Sequence, residues 1–177
     1  MDLILRNARR IGAEHELTDI GIAGGRIAAI QPGLAAEGET IDLGGRLVSP
    51  GFVETHIHLD KSCILDRCRS ERGDLEEAIA EAAKAKAAFT PEDVRSRAVR
   101  TLEKAILQGT THMRTGVGLR GLEGVLPLVK EYSWAIDLEI CVFPQEGLLN
   151  NPGTDELMVA ALDRGCRVVG GAPYTDN

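Results

Sequence analysis

His56 and His58 stand one residue apart in Gly51-Phe-Val-Glu-Thr-His-Ile-His-Leu-Asp-Lys61, a run that opens apolar and has the look of a β-strand. Side chains alternate across a strand, so the two imidazoles project from one face, close enough to hold a single metal ion. Imidazole suits zinc or iron, and a catalytic metal keeps one position open for a water. Pro50 and Gly51 punctuate the start of the run. Asp60 and Lys61 add charge just past its end, where they either line a pocket or pair with each other.

The elements around this run set where it sits. Residues 1–49 read as short strands and turns: Leu3–Ile11, Asp19–Ala23, Arg26–Ile30 after Gly24-Gly25, and a further hairpin from Thr40–Leu43 through Gly44-Gly45 to Arg46–Val48. From residue 50 onward strands alternate with helices. The first strand is Gly51–His58. Asp74-Leu-Glu-Glu77 opens a helix as a capping box, and this helix runs to about Ala88. Thr90-Pro91 opens a second, ended by Gly109. Strand Thr110–Val117, a helix from about Leu122 to Tyr132, strand Ile136–Phe143, a helix from about Thr154 to Arg164 and strand Cys166–Val169 follow. Ile136–Phe143 reads as nearly continuous in apolar residues, as a parallel strand buried on both faces should be.

This α/β alternation predicts a parallel sheet. No Gly-x-Gly-x-x-Gly or phosphate loop is present, which weakens a nucleotide-binding open sheet. Polar residues at strand ends suit a (β/α)8 TIM-type barrel, whose chemistry lies at the C-terminal ends of its strands. The expected organisation is part of a small β-sandwich over 1–49, then the first half of such a barrel over 50–177. A full barrel takes about 250 residues. The sequence is therefore expected to be the N-terminal part of a longer protein, rather than one that ends at Asn177.

His56-Ile-His-Leu-Asp-Lys61, Thr111-His-Met-Arg-Thr115 and Phe143-Pro-Gln-Glu-Gly147 together resemble the metal-dependent amidohydrolases, in their cytosine deaminase-like branch. The resemblance runs from about Leu3 to the end. It implies hydrolytic removal of an amino group from a small N-heterocycle such as cytosine, using one divalent metal (Fe2+ or Zn2+) held in part by His56 and His58. It also implies a third histidine, an aspartate and a proton-shuttle glutamate on later strands, so no catalytic acid or base falls within 1–177. Gln145 takes a substrate-binding role from the motif match, and Lys61 and Asp60 join it as candidate pocket residues. Family members continue Arg-Thr-His-Val with Asp or Glu, where this chain has Arg114-Thr-Gly116-Val-Gly118. Two polar positions at the pocket rim are thus glycine. Two alternatives stand beside the deaminase: an amidohydrolase on a triazine-like or cyclic amide substrate, and an inactive fragment or partner-dependent half-barrel.

The remaining residues read more plainly. His112, near the start of its strand, is expected to be a satisfied core or interface histidine. Glu146 is expected to be structural or solvated, and the charged helix Glu76 to Lys86 to be a solvated outer one. Cys63, Cys68, Cys141 and Cys166 lack a Cys-x-x-Cys spacing and read as buried free thiols. A net charge of −7 argues against nucleic-acid and anionic membrane surfaces. The apolar runs are too short to span a bilayer, and Met1-Asp-Leu-Ile-Leu-Arg lacks the layout of a signal peptide. A cytoplasmic location follows as the expectation. Assembly into a homo-oligomer is common among the proteins resembled.

Overall fold

The computed structural model describes residues 1–150 and 152–176; Asn177 falls outside them. The chain divides into two compact units at Pro50/Gly51.

The first unit is a five-stranded sheet built around β1 (Leu3–Arg10). β2 (Ala13–Ala23) pairs antiparallel with β1 and with β3 (Arg26–Gln31). β2 starts earlier than its apolar stretch suggests, because Gly12 at φ 82° closes a tight turn directly after β1. The predicted hairpin near Gly44-Gly45 does not form. β4 (Glu39–Asp42) and β5 (Leu47–Val48) both run parallel to β1, one after the other along its edge. The reason lies in β1. Asn7 adopts φ 55° at an irregularity between Leu5 and Ala8, and its carbonyl accepts the Gly45 amide at 2.8 Å. The glycine turn therefore steps over a kink in β1 instead of reversing the chain. Asp19 fixes this corner by accepting from Arg6, Asn7 N and Leu34 N at 2.7–3.0 Å.

The second unit is a four-stranded parallel sheet, β6 (Phe52–Ile57), β7 (Thr110–Val117), β8 (Asp137–Val142) and β9 (Val168–Val169), in that order. Four helices join the strands: α1 (Leu75–Lys86), α2 (Pro91–Leu107), α3 (Leu122–Glu131) and α4 (Thr154–Asp163). Their starts are the ones the sequence marks. Asp74 accepts from Glu77 N at 2.8 Å, while the Glu77 carboxylate receives the amides of Glu71, Arg72 and Gly73. Thr90 caps α2 in front of Pro91.

Met113, Thr115 and Val117 of β7 and Leu138, Ile140 and Val142 of β8 point to one face and meet Val94, Ala98 and Leu102 of α2 and Val125 and Leu128 of α3. The other face of the same strands carries His112, Arg114, Glu139 and Cys141. β8 thus alternates, where a strand buried on both faces was expected. His112 is exposed there, its Nδ1 3.0 Å from Thr111 Oγ1, and so is no core histidine. Arg114 lies directly opposite Glu139 and donates to it at 2.5 Å. Of the four cysteines, all free, only Cys166 is buried. Among the described residues, no helix is long and apolar enough to cross a membrane.

α2 fixes the turn after β6 through Arg97. Its buried guanidinium donates to the carbonyls of Asp60 (2.9 Å) and Ser62 (2.8 Å) and to Asp93, and lies over the Phe89 ring at 4.3 Å. Arg97→Met should leave those two carbonyls without this donor and Asp93 with Arg67 alone, at a cost of about 2–4 kcal/mol. Calorimetry should show Tm lower by about 5–10 °C; an unchanged Tm would remove Arg97 from this role. Asp93 also receives both guanidinium nitrogens of Arg67. Hydrogen bonds from Arg67 first and then Arg97 hold the Asp93 carboxyl well below its usual range. A lowered folded-state pKa means that the unfolded chain takes up the proton more readily. This contribution is present above the unfolded pKa near 3.9 and fades as pH falls below it.

Candidate active site

The C-terminal end of β6 and the turn behind it gather the residues that the sequence singles out. His56 lies within β6 and His58 just after it, with ring centroids 5.3 Å apart at an edge-to-face angle of 71°. His56 is exposed and His58 half-buried. His58 Nδ1 lies 3.0 Å from the carbonyl oxygen of Gly116. A carbonyl can only accept, so Nδ1 carries the proton and the Nε2 lone pair is left free. Burial first, and the Lys61 charge second, push the His58 pKa down and favour the neutral imidazole. Metal-binding histidines are commonly oriented by this kind of backbone contact.

β7 supplies the floor. Thr115, fully buried, accepts the Leu59 amide through Oγ1 at 3.0 Å. Gly116 lies against the His58 ring: a Cβ there would come within 2.8 Å of His58 Cε1 and 3.2 Å of Phe143 Cε1. At Gly118 the same test meets nothing closer than 3.5 Å. The two glycines at the rim are therefore not equivalent. Gly116 leaves the space that His58 fills.

Asp60 is buried beneath this floor. Its Oδ2 accepts the Gly118 amide at 3.0 Å, and its Oδ1 is buried with no hydrogen-bond partner among the described residues. Desolvation pushes its carboxyl above the usual range. Asp60 and Lys61 do not pair. Instead Lys61 turns to the other side of the site, donates to Gln145 Oε1 and lies 5.5 Å from the Phe143 ring centroid. Burial brings the Lys61 pKa down to about 8, with Lys86 adding to the shift and Asp60 and Glu146 opposing it.

Gln145 is no solvated loop residue. Besides Lys61, Lys86 donates to the same Oε1 at 3.2 Å and also pairs with Glu146. Lys86 is only 8% exposed. The expectation of a solvated outer helix thus fails at its last residue, where α1 turns inward. Its only signal in the sequence was a lysine in the last turn of a helix, which dipole and surface arguments explain equally well. The carbonyl of Gly116, the amide of Gly118 and Arg97 were likewise missed, because backbone groups and contacts over long sequence separations leave no local pattern.

Asp60, Lys86, Phe89, Gly121, Phe143 and Thr154 belong to the lining of one cavity of about 360 Å³. A larger hollow of about 770 Å³ is lined by residues of both sheet faces, among them His112, Arg114 and Glu139 on one and Met113 and Leu138 on the other, together with Leu126 and Val129 of α3. Neither His56 nor His58 lines either one; of the residues around them, Asp60, Lys86 and Phe143 line the smaller.

Two imidazoles, one with its nitrogen freed by a backbone contact, fit a zinc or ferrous ion in donor type. Among the described residues, no group of three or more His, Cys, Asp or Glu converges to complete such a shell.

Residues 39–118 match the amidohydrolase family. N-isopropylammelide isopropyl amidohydrolase of Pseudomonas sp. (strain ADP) is 33% identical over 96% of this chain, which spans 45% of that protein. The solved structure of 5-methylcytosine deaminase from Klebsiella pneumoniae, liganded with 5-fluorocytosine, superposes with TM-score 0.87 at 36% identity, covering 98% of this chain and 44% of that one. N-isopropylammelide isopropylaminohydrolase from Burkholderia multivorans ATCC 17616 gives TM-score 0.82 at 33% identity, over 97% of this chain and 45% of that one. The chain therefore spans less than half the length of these relatives. Its mixed α/β architecture, its matched residues and its near-complete superposition agree: the chain belongs to the amidohydrolase superfamily, in the cytosine deaminase-like branch.

Proposed function

We propose that this chain forms part of a cytoplasmic hydrolase that removes the amino group of cytosine or a related pyrimidine, releasing ammonia and leaving the oxygen of water on the ring. In this reading the residues from Gly51 onward are the N-terminal portion of a (β/α)8 barrel, and residues 1–49 are part of a β-sandwich. The observation that carries it is the His56–His58 pair at the end of a parallel strand, with His58 Nδ1 engaged by Gly116 and Nε2 free. Superfamily members use a divalent metal. His56 and His58 would hold it here, and a metal so bound lowers the pKa of its water to near 7, supplying hydroxide at neutral pH.

The chain's own residues do the rest of the positioning. Gln145, held by Lys61, would contact the substrate ring. Asp60 holds the amide of Gly118 and so sets the rim of the pocket. Phe143 lies 5.5 Å from His58 between ring centroids and gives a planar ring an apolar wall. The shuttle glutamate would come from a later strand.

The similarity to two isopropylammelide hydrolases supports a second reading, removal of an alkylamine from a triazine-type ring. Purified full-length protein, given cytosine, 5-methylcytosine and N-isopropylammelide in parallel, separates them. Ammonia from a pyrimidine supports the first, and isopropylamine the second. Turnover of none of the three contradicts both.

A further inference from the structure

β6 ends against a side chain of β7. The last paired residues of the two strands are Ile57 and Thr115, so the Leu59 amide lies beyond the ladder, at the start of a 3-10 turn over Leu59–Lys61. The opening amides of such a turn have no partner within it. Leu59 is fully buried, so solvent does not reach its amide. Thr115, also fully buried, supplies the acceptor: its Oγ1 takes the Leu59 amide at 3.0 Å. The hydroxyl donates in turn to the Gly116 carbonyl at 3.5 Å, the same oxygen that lies 3.0 Å from His58 Nδ1. The Leu59 amide belongs to the peptide unit that follows His58, and its direction is set by the His58 ψ angle, here 87°. Fixing that amide therefore fixes how the Cα–Cβ bond of His58, and with it the ring, faces β7.

We infer that Thr115 is a positioning residue for His58: its hydroxyl takes the Leu59 amide, aims the His58 ring at the Gly116 carbonyl, and so keeps the proton on Nδ1 and the Nε2 lone pair open. Valine has nearly the shape of threonine but no acceptor, and at this position it leaves a buried amide unsatisfied. Turning the peptide relieves that amide only by changing ψ at His58, which swings the ring off the carbonyl. Serine keeps the acceptor and gives up only a buried methyl group. The role rests on the proposed metal binding by His58 and adds the side chain that prepares this ligand.

The orientation is read first without metal, in 15N-labelled full-length protein under conditions where the imidazole is neutral. In the unaltered protein and in Thr115→Ser, the two His58 nitrogens should give the separate signals of a single tautomer, with the proton on Nδ1. In Thr115→Val the two signals should move toward each other as the ring samples both tautomers. Zinc titration of the same samples gives the second readout. Thr115→Val should bind zinc about tenfold more weakly or worse, and Thr115→Ser within about threefold of the unaltered protein. Circular dichroism checks that each variant folds. Where Thr115→Val does not, Thr115→Ala against Thr115→Ser, which differ in the hydroxyl alone, carries the same comparison. A single Nδ1-protonated tautomer with undiminished zinc affinity in the variants that lack the hydroxyl overturns the inference. So does an equal loss in Thr115→Ser, which would make the methyl group the part that matters. If zinc leaves His58 unmoved in the unaltered protein, the metal-binding reading fails, and the metal-free ring signals still decide the role of Thr115.

Discussion

The double substitution His56→Ala, His58→Ala should strip the full-length protein of its metal and lower turnover by about 10³-fold or more. At neutral pH a water without a Lewis acid is a poor nucleophile, and the metal's several kcal/mol of stabilisation enter the rate exponentially. The described residues hold no group of three or more His, Cys, Asp or Glu to which a metal could move. The single variants should not be equal. His58 is half-buried and fixed through Nδ1, whereas His56 is exposed and its ring has only the edge-to-face contact with His58. Loss of the pre-oriented ligand should cost more metal affinity than loss of the looser one. Metal content by elemental analysis, with folding checked by circular dichroism, measures both. A double variant that keeps stoichiometric metal would place the site elsewhere.

The second large effect is expected at Gly116. Gly116→Ala puts a methyl group within 2.8 Å of His58 Cε1 and 2.9 Å of Nδ1, with Phe143 closing the other side at 3.2 Å. The ring must tilt or leave, and the Nδ1 contact with the Gly116 carbonyl goes with it. Disturbing such an orienting contact typically costs 10- to 100-fold in metal affinity or activity, and a loss of about that size is expected here. Overpacking should add a stability cost of about 1–3 kcal/mol. Gly118→Ala is the matched control, since its added carbon meets only ordinary contacts at 3.5 Å and 3.7 Å. It should bind metal within about threefold of the unaltered protein. Equal losses in the two variants, read by metal titration, would mean that the spacing around His58 is not what matters.

The position of Gly116 also shows what a sequence can and cannot carry. As a departure from the family pattern it looks like a lost polar group; in the folded chain it is the space occupied by a ring 58 residues earlier. The histidine pair was legible because strand periodicity is local. So were Asp74, Glu77, Thr90 and Pro91, whose caps involve neighbours within a few residues. β4 and β5 were mistaken for a hairpin because two glycines suggest a reversal, while the kink at Asn7 that redirects them lies far upstream. His112 is not a core residue, because a strand pattern gives the alternation but not which face the helices cover. Lys86 meets Gln145 across 59 residues, and no helical pattern in α1 distinguishes it from its exposed neighbour Lys84.

The proposed chemistry requires that His56 and His58 share one divalent ion, with His58 coordinating through Nε2. The direct measurement is a zinc titration of the 15N-labelled full-length protein, following the imidazole nitrogens. The expected result is that His58 Nε2 and one nitrogen of His56 shift together and saturate at one zinc per chain, while His58 Nδ1 keeps its proton and its bond to Gly116. Zinc binding that leaves these two rings unmoved, or that enters through His58 Nδ1, would contradict it.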